Sequence, residues 1–176
     1  MRSGRTSSSK AAFYAPSKTF NLAGLIGSYH IVYNDWIHDR MLKEASLTHY
    51  NSMNVMSMHA LIGAYQQEGY DWVDELVQVL SANVDYACRF IQEELSGISV
   101  SRPQGTYMLF ADCSEWCREH GKTIQEVEQA CWKVGVALQD GRMFHGPCHM
   151  RINLALPFSR VEEAFDRLKQ YVFTDE

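Results

Sequence analysis

A long amphipathic pattern runs from Asp71 to Leu95, near the middle of the 176-residue chain. Apolar side chains recur there every three or four residues, which predicts one helix with a single apolar stripe. The members of that stripe are Trp72, Leu76, Leu80, Val84, Cys88 and Ile91. Gly97 is expected to end the helix. The residues before this helix have the composition of the interior of a larger sheet, whereas those after it have the pattern of a compact α/β unit. We therefore predict two parts joined by the helix.

The part before the helix combines strand-like and helical segments. Strands are predicted at Ala11–Ala15 and at Ser28–Tyr33. Helices are predicted from Leu22 with Asn21 as its cap, from Asp35 to about Ser46, and from Met53 to Gln67. The last of these is apolar almost all round and should therefore be buried. So few elements cannot cover one another, and we expect apolar surface that needs a partner.

The part after the helix reads as a small α/β unit. Strands are predicted at Ile98–Val100, Thr106–Asp112, Val136–Leu138 and Met150–Leu156. Two helices are predicted, Ile124–Val134 and Arg160–Tyr171, with Thr123 and Ser159 as N-caps at capping-box spacing from a glutamate. Strands that alternate with helices place the whole chain in the α/β class.

Composition narrows the function classes. The chain is 46% apolar and 21% charged, with a net charge of −5, so neither nucleic acid nor an anionic membrane is an expected partner. No apolar run reaches the length of a membrane span. Residues 1–10 are rich in Ser and Arg and are expected to form a disordered tail. Five cysteines without disulfide-framework spacing favour a reducing, cytoplasmic setting.

Lys18 lies in the most informative segment, Ala15–Gly24, with the sequence APSKTFNLAG. The lysine follows a predicted strand and a turn fixed by Pro16, which puts its amine on a rigid loop at a sheet edge. Burial would lower the pKa of such an amine, and a neutral amine attacks an aldehyde. Ser17 and nearby main-chain N–H groups are suited to hold a phosphate. The alternative, on spacing alone, is an ordinary solvated surface lysine.

Arg151 lies in the strand-like segment Met150–Leu156, whose side chains alternate between two faces. Met150, Ile152 and Leu154 form the apolar face, which leaves Arg151 on the opposite face. A planar guanidinium binds a carboxylate through two parallel hydrogen bonds and so fixes its orientation. On the pattern alone, a surface arginine in a salt bridge is the default interpretation.

Two spacings resemble metal sites, and we reject both. His145 and His149 are four residues apart, but Gly146 and Pro147 between them make a helix unfavourable. Cys113 and Cys117 have the same spacing, yet no second pair completes a zinc site. We therefore predict no metal, and a turn at His145–His149.

Five segments together resemble one enzyme family. The string APSKTFNLAG resembles the lysine motif of fold-type-I pyridoxal-phosphate (PLP) aminotransferases, and is most similar to their cystathionine β-lyase, or C–S lyase, branch of MalY/PatB type. The likeness continues through GSYHIVYND, NVMSMHALIGAY, PQGTYMLFADC and DGRMFHGPCHMRINLALP. It covers the chain from about Ala11 onward.

The resemblance implies the C-terminal portion of an aspartate-aminotransferase-like fold. Residues 11–70 would be the remainder of the large PLP-binding domain, 71–96 a connecting helix, and 97–176 the small C-terminal α/β domain. It implies PLP as cofactor, bound covalently by Lys18 and contacted by Ser17, with Arg151 on the substrate α-carboxylate. The implied reaction converts a cysteine-type amino acid to a thiol, pyruvate and ammonia. An aminotransferase and a truncated non-catalytic or regulatory protein remain as alternatives.

The resemblance also indicates what this chain lacks. In the family, three features precede the lysine: the carboxylate on the pyridine nitrogen, the ring stacked on the cofactor and the glycine-turn phosphate cradle. Only 17 residues precede Lys18 in this chain. Ala15 and Ile26 replace a serine and an arginine found in many aminotransferases. We therefore expect weak PLP binding and little turnover by these residues alone. We also expect homodimerisation, as in the family, or association with a missing N-terminal half.

Overall fold

The computed structural model describes residues 10–48 and 53–174. The chain divides into two compact units, one ending at Glu75 and the other beginning at Leu76. The predicted tail, apart from Lys10, lies outside the described residues. No helix within the described ranges is both long enough and apolar enough to cross a membrane.

The first unit begins with a two-stranded antiparallel sheet. Strand β1 (Ala11–Tyr14) pairs with β2 (Tyr29–Val32), and Tyr14 lies opposite Tyr29. Both predicted strands are confirmed. The one-turn helix α1 (Pro16–Thr19) follows β1. The predicted helix from Leu22 is wrong. The helical turn begins earlier, at Pro16, because the fixed φ of proline suits the first helical position.

Asn21 also explains why no helix begins at Leu22. Its φ is 52°, in the left-handed region that follows a helix more often than it begins one. Two further helices lie in the described part of this unit, α2 (Asp35–Thr48) and α3 (Val55–Ala64). The side chain of Asn54 caps α3, since its Oδ1 accepts a hydrogen bond from the Ser57 amide at 2.9 Å.

Helix α3 is far less buried than its composition predicts. Ser57 is its buried residue, whereas Val55, Met56 and Ile62 are 64%, 69% and 52% exposed. The prediction that this helix is interior is therefore wrong for the described chain. The apolar surface expected in the first part is confirmed.

Helix α4 (Gln67–Glu94) continues from the first unit into the second. Its buried residues begin at Asn83 and include Val84, Ala87 and Ile91. The predicted helix is confirmed, but the stripe is wrong at its start, where Trp72 is 42% exposed. Gly97 follows the helix with a φ of +72°, which fits its predicted role in ending it.

The second unit contains an antiparallel three-stranded sheet in the order β3–β5–β4. The strands are β3 (Met108–Asp112), β4 (Gln139–Asp140) and β5 (His149–Asn153). The predicted strand at Ile98–Val100 is reduced to a single bridge between Ser99 and Asp112. The strand predicted at Val136–Leu138 is displaced to β4.

Three α-helices follow α4 in this unit: α5 (Ser114–Glu119), α6 (Ile124–Lys133) and α7 (Phe158–Tyr171). The capping box at Thr123 is confirmed, because its main-chain and side-chain groups both bond Glu126. The cap at Ser159 is wrong: α7 begins at Phe158, and its N-cap Pro157 makes no side-chain cap bond.

Burial is uneven along the chain. The core of buried apolar side chains lies between Val84 and Val172. Its largest fully buried members include Ile91, Leu109 and Phe165. In the described part of the first unit, Pro16 and Ser57 are the buried residues. The second unit thus has an interior of its own, whereas the described part of the first unit buries few side chains.

Candidate functional site

Lys18 lies in α1, directly after the strand β1. Ala15 is extended, with φ −138° and ψ 131°, as expected for a residue before proline. Pro16 then starts the turn, and the Phe20 amide closes it by donating to the Pro16 carbonyl at 2.9 Å. The predicted strand–proline–lysine arrangement is therefore present, with the lysine inside the short helix and not before one.

The side chain of Lys18 is exposed. Among the described residues it makes no hydrogen bond or ion pair, so no partner within those residues occupies its amine. The expected burial is absent from the described chain, because within residues 10–48 and 53–75 only Pro16 and Ser57 are buried. Ser17 is half-buried, and within the same ranges its hydroxyl is also without a partner.

An aromatic cluster surrounds the ends of the Lys18 turn. The ring of Phe20 lies 5.1 Å from that of Tyr65 and 6.4 Å from that of Tyr70. The hydroxyl oxygens of Tyr29 and Tyr65 are 3.1 Å apart. This hydrogen bond is the main cause, and burial the second, of a rise in the pKa of Tyr65 to about 12. The Tyr65 hydroxyl therefore stays protonated at neutral pH. The predicted site did not include this cluster.

Arg151 lies in the central strand β5, opposite Phe110 of β3 and Gln139 of β4. Its neighbours Met150 and Ile152 are buried, whereas Arg151 is half-buried on the other face, as the alternation predicts. Its Nη1 donates to Gln139 Oε1 at 2.9 Å. The remaining guanidinium N–H groups are left for a second acceptor.

Phe144 contributes to the same site. The guanidinium carbon of Arg151 lies 4.7 Å from the centroid of the Phe144 ring, a cation–π distance. Gln139 and Phe144 therefore fix the orientation of the guanidinium from two sides. Neither residue was predicted from the sequence. The cross-strand register was the signal that could have found Gln139, because pairing across the 141–148 turn places it opposite Arg151.

In the turn that carries Phe144, the main chain at Gly146 lies close to the Phe110 side chain. It contains a short 3₁₀ helix, Arg142–Phe144, and His145 follows with a φ of 62°. A Cβ at Gly146 would lie 2.3 Å from Phe110 Cζ, so any other residue there would have to displace the Phe110 ring. Arg142 beside Asp140 holds the pKa of that carboxyl below its ordinary value.

His149 and Asp112 face each other where β5 and β3 pair. The ring of His149 stacks on Phe110 with centroids 4.6 Å apart, and its Nδ1 lies 4.0 Å from Asp112 Oδ1. His145 lies on the turn and not on a helix face shared with His149. In the described part of the chain, no group of three His, Cys, Asp or Glu residues is placed to hold a metal ion.

The buried cysteines have a packing role. Cys113 and Cys117 are 1% and 5% exposed. Burial raises the pKa of both thiols, that of Cys117 to about 12, which keeps them protonated and unreactive. The Cys113 amide donates to the Cys148 carbonyl at 2.9 Å, so the main chain joins this part of the core.

A cleft of about 500 Å³ also opens in the second unit, between α7 and the ends of β5 and the 135–138 segment. Its wall is largely apolar. The charged residues at its rim are already engaged, since Glu163 pairs with both Arg160 and Arg167. Arg151 is not part of its lining, and we assign it no ligand.

Comparison with known proteins gives this chain a family. The family model described as "Aminotransferase class I and II" matches residues 8–168. Cystathionine beta-lyase PatB of Bacillus subtilis is 27% identical over 158 residues, which is 88% of this chain and 40% of PatB.

Two solved structures are similar over the same extent. Cystalysin from Treponema denticola, whose structure contains a pyridoxal 5'-phosphate cofactor, has a TM-score of 0.79 and 28% identity, covering 91% of this chain and 40% of its own. The PLP-bound C–S lyase from Staphylococcus hominis has a TM-score of 0.81 and 25% identity, covering 94% and 42%.

The chain therefore spans about two-fifths of the length of these relatives. The expected fold class is confirmed: the α/β chain matches part of the aminotransferase fold over nearly its whole length. With the family model matched from residue 8 to residue 168, the chain belongs to the class I and II aminotransferase family.

Proposed function

We propose that this chain supplies the lysine and the carboxylate-binding arginine of a PLP-dependent carbon–sulfur lyase. The substrate class is a cysteine-type amino acid such as cystathionine. The observation that carries the proposal is the free amine of Lys18 on its proline-started turn, in a chain whose relatives are named cystathionine beta-lyase and C–S lyase.

The donor set of the Lys18 turn fits PLP. An amine that is exposed and without an ion pair among residues 10–48 and 53–174 is available to bond an aldehyde carbon. The Ser17 hydroxyl, one residue earlier, is available to a phosphate oxygen. When bound, PLP supplies an electron sink for the charge that develops at the substrate Cα.

The residues of this chain then have separate tasks. Arg151 binds the α-carboxylate through two N–H groups, and Gln139 and Phe144 hold its guanidinium in one orientation. Lys18 would hold the cofactor through its amine, and the same amine would accept the Cα proton as general base. The Cβ–S bond breaks and its electron pair leaves with sulfur, which is protonated to a thiol. Consumption of one water then yields pyruvate and ammonia.

A partner surface completes the proposal. We propose that the chain acts as a homodimer or together with a polypeptide that supplies the N-terminal half. Exposed apolar side chains of the first unit support this: Ile26 is 83% exposed, Phe13 70% and Trp36 67%, which is unfavourable in water without a cover. We place the protein in the reducing cytoplasm, and its five free thiols support that location.

Covalent binding of PLP tests the role of Lys18. We expect the full chain with excess PLP to develop a weak visible absorbance that Lys18→Ala abolishes and Lys43→Ala, an exposed-lysine control, preserves. Persistence of the absorbance in Lys18→Ala would overturn the assignment. Thiol release from cystathionine should be small, and any release should stop in both Lys18→Ala and Arg151→Gln.

Binding of the substrate carboxylate tests Arg151 separately. We expect L-cystathionine to shift the side-chain NMR signal of Arg151. Arg151→Lys should weaken binding at least about tenfold, because it keeps the charge but loses the two-pronged geometry. Equal affinity in Arg151→Lys would contradict the role.

The family description favours one second candidate, an aminotransferase. Lys18 and Arg151 would have the same tasks in it, since both reactions begin with removal of the Cα proton. The products differ. Pyruvate with free ammonia indicates the lyase, whereas a 2-oxo acid that retains the substrate side chain indicates the aminotransferase.

A further inference from the structure

The turn that carries Lys18 cannot hold its own shape. Helix α1 has four residues, closed by the bond from the Phe20 amide to the Pro16 carbonyl. A single helical turn is unstable in water unless its neighbours fix it. Because the Lys18 side chain is exposed and without a partner among the described residues, its position depends on what holds the two ends of the turn.

Aromatic rings hold both ends. Before the turn, the ring of Tyr14 stacks on that of Tyr29, with centroids 5.2 Å apart and planes at 20°. After the turn, the ring of Phe20 packs on that of Tyr65 at 5.1 Å. Tyr29 and Tyr65 contact each other in turn, edge to face at 5.9 Å. The four rings, which we call the aromatic clamp (Tyr14, Phe20, Tyr29 and Tyr65), thus join the two ends of the Lys18 turn.

Main-chain and side-chain hydrogen bonds both anchor Tyr65. It is the C-cap residue of α3, and its amide donates to the Leu61 carbonyl at 3.3 Å. Its hydroxyl oxygen lies 3.1 Å from that of Tyr29. A second tie holds α3 near the segment that follows the turn, because Ser57 Oγ donates to the Leu25 carbonyl at 2.5 Å, and Ser57 is 3% exposed.

We propose that Tyr65 is a positioning residue for Lys18, acting through the ring of Phe20 and the hydroxyl of Tyr29. The proposal rests on the function proposed above for Lys18. Fixing both ends of the turn limits the directions from which the amine approaches an aldehyde carbon, which favours one reactive geometry. Tyr65 does not touch the amine, so it is not a catalytic residue.

The test compares two lysines in one protein. The full chain is incubated with PLP and reduced with borohydride. The amine bonds to the aldehyde carbon with loss of water, and borohydride adds hydride to that carbon, which makes the bond permanent. Peptide mapping then gives the ratio of label at Lys18 to label at Lys43, an exposed lysine of α2 in the same unit.

We expect the unaltered chain to label Lys18 in clear excess over Lys43. Tyr65→Leu, which removes the ring and the hydroxyl, should lower that ratio at least about fivefold. Tyr65→Phe, which keeps the contact with Phe20 but loses the hydroxyl, should lower it only about twofold. Tyr33→Leu, at an exposed tyrosine of the same unit, should leave it unchanged.

The outcomes separate the two proposals. A ratio near one in the unaltered chain overturns the role of Lys18, and the positioning role with it. Preferential labelling of Lys18 that persists in Tyr65→Leu overturns the positioning role alone. If Tyr65→Leu loses its helical circular dichroism, Tyr29→Phe decides: the loss of this one hydroxyl should lower the ratio about twofold, and an unchanged ratio overturns the proposal.

Discussion

The main-chain amide of Trp116 donates a hydrogen bond of 3.0 Å to the carbonyl of Gly97. The two residues are so close that a Cβ on Gly97 would lie 2.9 Å from the Trp116 nitrogen, at a φ of +72°. The end of α4 and the start of α5 therefore meet at a position that only glycine satisfies.

Gly97→Ala should lower the free energy of unfolding by about 2 kcal/mol or more, since it adds a clash to the cost of a left-handed alanine. Two matched variants separate these causes. Gly121, at φ +60° with open space around it, should lose only about 1 kcal/mol as alanine. Gly105→Ala, with open space and no positive φ, should be neutral. Urea denaturation measures all three, and an equal loss at Gly97 and Gly121 would remove the clash from the explanation.

Asn83 should be the most sensitive polar residue of α4. Its Nδ2 donates to the carbonyls of Leu154 and Leu156, each at 2.9 Å, and its side chain is fully buried. Asn83→Ala removes both hydrogen bonds, although the Leu154 carbonyl still accepts from the Leu156 amide at 2.8 Å, so we expect a loss of about 2 kcal/mol of unfolding free energy. Ser81→Ala, at an exposed position of the same helix, is the control. Equal stability of the two variants by urea denaturation contradicts this role.

The two helix caps should respond differently to the same substitution. Thr123 makes a complete capping box, whereas Ser159 makes no cap bond at the start of α7. Thr123→Ala should therefore lower the unfolding free energy by about 1 kcal/mol, and Ser159→Ala should be near neutral. Thermal melts of both variants measure the difference, and the reverse order would show that the capping geometry is wrong.

Acid should destabilise the second unit partly through Asp112. The Ser114 hydroxyl and amide, together with the nearby His149, hold the pKa of Asp112 below its ordinary value. The folded state thus binds this proton less readily than the unfolded state. The resulting stability is fully present above the unfolded pKa of about 3.9. It is lost as the pH falls through the lower pKa of the folded state.

Two variants test this dependence. In Asp112→Asn, the plot of unfolding free energy against pH should be flatter below about pH 4 than in the unaltered chain. Ser114→Ala should flatten it in the same direction, because it removes the hydroxyl donor. Urea midpoints across a pH series measure the slopes. An unchanged slope in Asp112→Asn would mean that Asp112 does not contribute to acid unfolding.

Local signals in this sequence predicted local structure well. The capping box at Thr123 is encoded within four residues, and the alternation in β5 within seven, so both could be identified without the fold. Ser159 shows the limit of such signals: it has the same spacing to a glutamate, but Pro157 starts the helix earlier. Short elements such as α5 carry too few residues for a period to be visible.

The surroundings of the two candidate site residues were not predictable in the same way. Phe20 and Tyr65 are 45 positions apart and meet only because α3 packs near the turn. Gln139 reaches Arg151 through strand register. The exposure of α3 also escaped prediction, because an apolar composition indicates that a helix needs cover without showing that the described residues provide it.

Helix α4 passes from a part without buried side chains to a part that lines the core, the change coming at Asn83. We therefore expect the main-chain hydrogen bonds before Asn83 to open more often than those after it, within one continuous helix. Amide protons after Asn83 should exchange with deuterium only when the second unit opens as a whole, whereas those near Trp72 should exchange by local fraying. Amide exchange rates along α4 should thus show at which residue the cooperatively folded part of the chain begins.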